Sequence, residues 1–309
     1  MKLLFLSESD RAEIWRPVLK RLAPELEFVR WPDVPDPEAI EFAAVWKYPP
    51  GELKRYPNLK LVASLGAGID HLVGDPEFPA HIPFVRLTDP TLTAGMIEYA
   101  LYGVLRHHRQ MRAYAAYQRE GRWKPLPAPV TSACRVGVAG TGEIGGAVAQ
   151  AVKGLGFDVA GWSRTGRGPE GLRMYAGEAG WIPFLQRCDI LICVLPLTAA
   201  TRGLLNARAF AAMPKGSAVI NIARGGHVVD ADLVAALDSG HLNYALLDVT
   251  SPEPLPPGHA FWTHEKVEIT PHIASLTNAE TAAPQIVDNI RSYLAGKPLR
   301  NLVDRTQGY

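Results

Sequence analysis

The sequence contains little cysteine and no long hydrophobic run. Its three cysteines, Cys134, Cys188 and Cys193, are an odd number without a CxxC or Cys/His spacing, so neither a disulfide framework nor a zinc site is predicted. No run approaches the roughly eighteen apolar residues of a membrane span, and the apolar start turns acidic at Glu8 and Asp10, unlike a signal peptide. We therefore expect a cytoplasmic protein without a membrane partner or a bound metal.

The chain also lacks an excess of either charge. Lys and Arg number 32, against 31 Asp and Glu. This near-neutral total argues against nucleic acid or an anionic membrane surface as the main partner. Any anionic partner is therefore expected to be a small molecule.

The length and the apolar pattern predict an α/β protein with two units. At 309 residues, 47% of them hydrophobic, the chain is long enough to form two cores. Nearly continuous apolar runs, such as 3–6, 136–139 and 218–222, recur between helical segments. Such runs are typical of strands in a parallel sheet that helices cover on both faces. One doubly wound unit is predicted over 135–250 and a second over the first ninety residues.

Two further helical patterns bear on the domain boundaries. A long helix is predicted over about 91–120, between the two units, and a last helix over about 278–294. The last segment can return to the first unit. We therefore expect residues 1–94 and 277–309 to form one discontinuous domain and residues 95–276 to form the other.

A glycine-rich turn follows the predicted strand at 135–139. It reads Gly140-Thr-Gly142-Glu-Ile-Gly145, and a helical pattern begins directly behind it. One glycine permits the turn, the next lets the backbone approach a pyrophosphate, and the third lets the helix pack on the strand. The helix N-terminus also offers N–H groups to the anion. This context favours a dinucleotide site over a glycine-rich turn without a ligand.

The next predicted strand, 157–161, ends where the adenosine ribose of a dinucleotide would lie. An acidic residue there would bind a 2′-hydroxyl and indicate NAD. The chain instead reads Trp162-Ser163-Arg164-Thr165-Gly166-Arg167, without a carboxylate. A guanidinium pairs well with a phosphate to which neighbouring hydroxyls also donate, so NADPH is predicted over NADH. The alternative is a solvated basic loop.

Three polar side chains follow predicted strands later in the chain. Arg224 comes just after an apolar strand, Glu253 follows the next one, and His272 follows a short strand. Considered one at a time, each has a structural interpretation: Arg224 as a charged residue in a loop, Glu253 as an acidic residue in a turn, and His272 as a histidine packed in the interior. Taken together behind a dinucleotide loop, they supply the cation, the carboxylate and the acid that the reduction of a 2-keto acid requires.

Motifs across nearly the whole chain resemble those of the D-2-hydroxyacid dehydrogenase family. They occur in the family's own order: Leu195-Pro-Leu-Thr198, Thr201-Arg-Gly-Leu204, Asn221-Ile-Ala-Arg-Gly-Gly226, Leu247-Asp-Val249, Glu253-Pro-Leu255 and Thr270-Pro-His-Ile-Ala274. Narrower features resemble members that reduce glyoxylate and hydroxypyruvate: Val45-Trp46 with Pro49-Pro50, Ser64-Leu-Gly-Ala-Gly-Ile-Asp70, Gly161-Trp-Ser-Arg164 and the ending Val303-Asp-Arg-Thr-Gln-Gly-Tyr309. Two positions depart from the pattern. Thr250 stands where an aromatic residue is usual, and Ser163-Arg164 replaces the usual acid, which again favours NADPH.

The resemblance implies two doubly wound parallel-sheet domains with a cleft between them, a Rossmann-like cofactor domain and a flavodoxin-like substrate domain. It implies NADPH-dependent reduction of a small 2-keto acid such as glyoxylate or hydroxypyruvate, by a homodimer joined through the cofactor domain. Arg224 would bind the substrate carboxylate and polarise the keto oxygen. His272 would be the general acid, and Glu253 would hydrogen-bond the imidazole and favour its charged form.

The resemblance also implies the residues of each binding site. The cofactor site is expected to involve Gly140, Gly142, Glu143, Ile144, Gly145, Ser163, Arg164, Thr165, Leu195, Pro196, Thr201, Ile222, Ala223, Arg224, Asp248 and His272. The substrate site is expected to combine Arg224 and His272 with backbone N–H groups of the glycine-bearing loop and a closing indole, that is, Ala67, Gly68, Ile69 and Trp46. Two alternatives stay open: a dehydrogenase for a phosphohydroxypyruvate or phenylpyruvate type of acid, and a dinucleotide-sensing binding protein.

Overall fold

The computed structural model describes residues 1–304, so the last five residues of the C-terminal motif, 305–309, lie outside the described residues. The chain divides into two compact units. One is Met1–Leu92 together with the segment from Thr277 onward, and the other is Thr93–Leu276. Within residues 1–304, no helix has both the length and the apolar character that a membrane crossing needs.

Helices surround a separate parallel sheet in each unit. Over residues 1–304 the helices are α1 (Ala12–Leu22), α2 (Asp70–Val73), α3 (Pro90–His108), α4 (Met111–Arg119), α5 (Glu143–Gly154), α6 (Gly177–Leu185), α7 (Ala207–Ala212), α8 (Asp230–Asp238) and α9 (Ala279–Leu294). The boundary between the units at residues 92 and 93 falls inside α3. The predicted long helix over 91–120 is thus two helices. Gln110 separates them because its φ of 57° is left-handed and interrupts an α-helix.

The first unit has a five-stranded parallel sheet. Its strands are β1 (Lys2–Ser7), β2 (Glu27–Arg30), β3 (Ile40–Trp46), β4 (Leu61–Ser64) and β5 (Phe84–Val85). They lie in the order β2-β1-β3-β4-β5, and every pair is parallel. This is the flavodoxin-like order that the resemblance implies.

The second unit has a seven-stranded parallel sheet. Its strands are β6 (Arg135–Ala139), β7 (Asp158–Ser163), β8 (Arg173–Ala176), β9 (Ile190–Cys193), β10 (Ser217–Asn221), β11 (Leu242–Leu247) and β12 (Val267–Ile269). They lie in the order β12-β11-β10-β9-β6-β7-β8. The order reverses between β6 and β9, as in a Rossmann sheet, and ligands of such sheets bind beyond the carboxyl ends of the strands at this point. The predicted α/β class with two doubly wound sheets is confirmed.

Burial on both faces of the sheets explains the continuous apolar runs. On β1, Leu3 and Phe5 belong to one core cluster, and Leu4 and Leu6 belong to the cluster on the opposite face. All four side chains are at most 1% exposed. Successive side chains of a strand point to opposite faces, so a strand that is covered on both sides needs an apolar residue at every position.

Candidate active site

The glycine turn between β6 and α5 admits no larger residue at two of its positions. Gly140 has a φ of 95°, and a Cβ on it would lie 2.7 Å from the Val194 carbonyl oxygen. A Cβ on Gly145 would lie only 1.8 Å from the carbonyl oxygen of Gly140. The chain therefore needs glycine here because helix and strand backbones approach each other closely.

The beginning of α5 fits a dinucleotide phosphate. Gly142 is the N-cap of this helix and provides no side-chain cap, so the first N–H groups of α5 are not satisfied by its own side chain. Apart from the atoms of Gly142 itself and of its immediate chain neighbours, no described atom lies within 4 Å of the place where a Cβ on Gly142 would be. Glu143 is exposed in the first turn, while Ile144 packs against a core cluster. A helix N-terminus with open space in front of it accepts an anion.

The loop after β7 lies beside the glycine turn. β6 and β7 are parallel neighbours, with Ala139 opposite Trp162. The Arg167 carbonyl oxygen accepts hydrogen bonds from Ser163 Oγ at 2.9 Å and from Thr141 Oγ1 at 2.7 Å. These bonds hold the loop against the glycine turn, with Arg164 and Thr165 exposed.

A second set of predicted cofactor residues follows β9 and β10. Thr201 Oγ1 donates to the Pro196 carbonyl oxygen at 2.7 Å, which closes the loop after β9. The apolar members of this set are buried: Leu195, Ile222 and Ala223. These residues lie at the carboxyl ends of β9 and β10, the same edge of the sheet as the glycine turn.

Arg224 is placed by a buried asparagine at the end of β10. Asn221 Nδ2 donates to the Arg224 carbonyl oxygen at 2.9 Å, and Asn221 Oδ1 accepts from Ala223 N at 3.1 Å. The guanidinium Nη1 donates to the Ala223 carbonyl oxygen at 2.7 Å. A Cβ on Gly225 would lie 2.0 Å from the Thr250 carbonyl carbon, so glycine lets this turn pack on the segment that leads to Glu253.

His272 and Glu253 form a hydrogen-bonded pair. Nδ1 of His272 lies 2.9 Å from Glu253 Oε2, and both side chains are about one quarter exposed, at 26% and 23%. An ionised carboxylate only accepts hydrogen bonds, so Nδ1 carries the hydrogen and Nε2 is the other ring position that can hold a proton. Glu253 Oε1 also accepts from Thr250 N at 3.3 Å, which orients the carboxylate.

The backbone of His272 is held in an uncommon conformation by Asp248. The φ of His272 is 58°, a left-handed value that costs a residue with a Cβ about 1 kcal/mol or more. His272 N donates to the Asp248 carbonyl oxygen at 2.8 Å, while Ile273 N and Ala274 N donate to the two carboxylate oxygens at 2.7 and 2.8 Å. Burial raises the pKa of Asp248, and hydrogen bonds from Thr270, Ala274 and Ile273 oppose that effect.

The strand register brings these residues of the second unit to one edge. Asn221 on β10 pairs with Leu247 on β11, which pairs with Ile269 on β12. All three strands are parallel, so the segments that carry Arg224, Glu253 and His272 leave the sheet on the same side.

The sequence analysis assigned no role to Asn221 or Gly225. Two signals could have indicated them: Asn221 is a polar residue at the end of an apolar strand, and Gly225 is a glycine directly after Arg224.

The predicted substrate residues of the first unit also lie at the carboxyl edge of their sheet. Trp46 ends β3 and lies against Gly66, where a Cβ would be only 2.6 Å from the indole ring. Ser64 Oγ donates to the Gly66 carbonyl oxygen at 2.9 Å and shapes the loop. Of the other predicted residues, Ala67 and Gly68 are half-buried, and Ile69 is buried.

Comparisons with known proteins agree on one family. Residues 101–274 match the family model described as "D-isomer specific 2-hydroxyacid dehydrogenase, NAD binding domain". The chain is 37% identical over 314 residues to a glyoxylate/hydroxypyruvate reductase A of Serratia proteamaculans, with 100% of each chain covered. It is 38% identical, with the same coverage, to a protein of that name from Salmonella newport.

Two solved structures are similar over the full length. A D-isomer specific 2-hydroxyacid dehydrogenase of Xanthobacter autotrophicus, in complex with NADPH and MES, matches with a TM-score of 0.94 at 43% identity, covering 100% of this chain and 99% of that one. An NADPH-dependent glyoxylate/hydroxypyruvate reductase of Sinorhizobium meliloti, in complex with NADP and sulfate, matches with a TM-score of 0.93 at 36% identity and the same coverage.

Proposed function

Because the chain belongs to the D-isomer specific 2-hydroxyacid dehydrogenase family, an NAD(P)-dependent enzyme family, we propose that it reduces glyoxylate and hydroxypyruvate with NADPH, with His272 as the proton donor. The observation that carries this proposal is the 2.9 Å contact between His272 Nδ1 and Glu253, at the same sheet edge as the glycine turn. The direct test is whether the purified protein oxidises NADPH when either acid is added.

Reducing a 2-keto acid adds a hydride to the carbonyl carbon and a proton to its oxygen. The nicotinamide of the cofactor supplies the hydride when it is bound. His272 supplies the proton from Nε2, while the hydrogen bond from Nδ1 to Glu253 keeps the ring oriented for the transfer. Both groups reach solvent in part, so the imidazole can regain a proton after each turnover.

Arg224 binds the substrate carboxylate and stabilises the charge that develops on the keto oxygen. A guanidinium offers paired N–H donors in a plane, which matches a carboxylate next to a carbonyl. The Asn221 hydrogen bonds fix the turn from which this side chain leaves. In the first unit, we assign the N–H groups of Ala67, Gly68 and Ile69 to the substrate carboxylate and the indole of Trp46 to the wall of the substrate pocket.

The NADPH preference depends on Arg164. Replacing Arg164 with alanine is expected to raise the KM for NADPH about tenfold or more, because a charge-assisted contact with the 2′-phosphate is lost. The KM for NADH should change little, since NADH lacks this phosphate. Steady-state kinetics with both cofactors measures the difference, with Arg208→Ala on α7 as an exposed-arginine control in the same unit. An unchanged KM for NADPH in the Arg164 variant would remove this residue from the cofactor site.

The second unit presents apolar side chains that suit a homodimer contact. The exposed fractions of Met111, Trp123 and Val130 in the single chain are 47%, 101% and 65%. A fully exposed indole is costly in water and is a common anchor of protein interfaces. We therefore assign α4 and the segment after it to the contact of a homodimer. Sedimentation equilibrium should give the mass of two chains, and the mass of one chain would contradict the assignment.

The cysteines support a cytoplasmic location. Within the described residues, Cys134, Cys188 and Cys193 form no disulfide, and burial raises the pKa of the Cys134 thiol to about 11. Thiols that stay protonated and unpaired suit a reducing compartment. Fractionation of cells that express the protein tests this, and recovery outside the cytoplasm would contradict it.

A further inference from the structure

The loop that carries His272 is connected to a tyrosine that no motif identifies. Thr270 Oγ1 donates to Asp248 Oδ1 at 2.7 Å, and the hydroxyl of Tyr99 on α3 is hydrogen-bonded to Thr270 Oγ1. Asp248 Oδ1 also accepts from Ile273 N. Three residues from three segments of the second unit therefore form one chain of hydrogen bonds that ends at the backbone beside His272.

The direction of these hydrogen bonds follows from the number of protons. Amide N–H groups only donate, so the Asp248 carboxylate must accept from Ile273 and Ala274, and it also accepts from Thr270. Thr270 has a single hydroxyl proton, which goes to Asp248. Tyr99 must then donate its own proton to Thr270. Burial raises the pKa of Tyr99 above its ordinary value, so the phenol keeps the proton that this arrangement requires.

The Asp248 carboxylate accepts three hydrogen bonds, and Thr270 provides the only one of them that comes from a side chain among the described residues. It is only 2% exposed, and it holds both N–H groups that follow His272. The left-handed backbone of His272 is uncommon for a residue with a side chain, so surrounding contacts must maintain it. If the carboxylate turned, the N–H groups of Ile273 and Ala274 would lose their acceptors, and the backbone that aligns Nδ1 with Glu253 would be less well fixed.

We infer that Tyr99 and Thr270 are positioning residues for the proton donor, acting on His272 through Asp248. The inference rests on the proposed role of His272 and goes beyond it, because neither hydroxyl needs to contact substrate or cofactor. What they provide is the fixed orientation of Asp248. Small errors in the placement of a proton donor cost a large part of the rate even when binding is intact.

Variants that remove only a hydroxyl group test this inference. Thr270→Val keeps the branched shape and loses the hydroxyl, whereas Thr270→Ser keeps the hydroxyl and loses a methyl group. We expect kcat with glyoxylate to fall about tenfold in Thr270→Val and in Tyr99→Phe, with the Kd for NADPH within about twofold of the wild type. In Thr270→Ser, kcat should stay within about twofold of the wild type, because serine keeps the hydrogen bond to Asp248.

Tyr102 provides a matched control on the same helix. Its hydroxyl bonds to Glu268 rather than to Thr270, so Tyr102→Phe should leave kcat unchanged. Nitrogen-15 NMR of the histidine side chains gives a readout apart from turnover. The His272 Nδ1 signal, assigned by its loss in His272→Asn, should move in Thr270→Val and in Tyr99→Phe and stay in place in Tyr102→Phe.

The outcomes separate this inference from the proposed function. Turnover that survives in His272→Asn would overturn the proposed proton donor. If His272→Asn is inactive while Tyr99→Phe and Thr270→Val match the wild type in kcat and in the NMR signal, the positioning role is wrong. Equal losses in Thr270→Ser and Thr270→Val would also contradict it, since side-chain shape rather than the hydroxyl would then matter. Tyr99→Phe decides the matter if the Thr270 variants fail to fold.

Discussion

Replacing His272 with asparagine is expected to lower kcat about a thousandfold or more while the Kd for NADPH stays within a few fold of the wild type. The asparagine amide can still donate to Glu253 from near the position of Nδ1, so the loop should keep its shape. No group at the Nε2 position then releases a proton to the keto oxygen. Steady-state turnover of glyoxylate, together with NADPH binding followed by fluorescence, separates the loss of chemistry from a loss of binding.

A second histidine of the same unit is the matched control. His264 Nε2 lies 3.2 Å from Asp238, a similar histidine–carboxylate contact in which we assign no chemistry. His264→Asn should keep kcat within about twofold of the wild type, as is usual for substitutions away from a functional site. Near-normal turnover in His272→Asn would remove this residue from the mechanism, and an equal loss in both variants would point to a general structural effect.

Replacing Arg224 with lysine is expected to lower kcat/KM for glyoxylate about a hundredfold, with a rise in KM as the main part. The buried Asn221 holds the backbone of this turn, so lysine should leave the chain at the same place and keep the positive charge. The fall in kcat/KM then measures the contribution of the planar pair of N–H donors, which lysine lacks. Initial rates over a range of glyoxylate concentrations at saturating NADPH provide the measurement.

The charge-preserving control for this variant is Arg208→Lys on the exposed surface of α7, which should behave as the wild type. A Kd for NADPH measured on both variants shows whether the cofactor site is intact. If Arg224→Lys keeps kcat/KM within about twofold, a point charge is sufficient, and the proposed two-pronged contact with the substrate is wrong.

The sequence alone predicts the fold class and the glycine turn well because both depend on local constraints. A strand buried on both faces must be apolar at every position, as Leu3 to Leu6 show. The need for glycine at Gly145 arises from a backbone oxygen only five residues earlier in the chain. Strand β3 likewise has an apolar run, 42–45, in which every residue is buried. The edge strand β8 has no fully buried residue, so its apolar signal is weak.

The contacts that orient the candidate site could not be predicted because they join distant segments. Tyr99 and Thr270 are 171 positions apart, and Gly225 packs on Thr250 only because β10 and β11 are neighbours in the sheet. The left-handed φ of Gln110 divides the predicted long helix, although glutamine has no intrinsic preference for that conformation. Residue types and motif order predict which side chains belong to the candidate site. The tertiary structure is needed to show which contacts orient them.

The most direct test of the central claim is the initial rate of cofactor oxidation by the purified wild-type protein with glyoxylate, hydroxypyruvate, phosphohydroxypyruvate and phenylpyruvate, each with NADPH and with NADH. The account predicts the highest kcat/KM for glyoxylate or hydroxypyruvate with NADPH. Dinucleotide binding without oxidation by any of these acids would contradict it, and so would a clear preference for NADH or for one of the two larger acids.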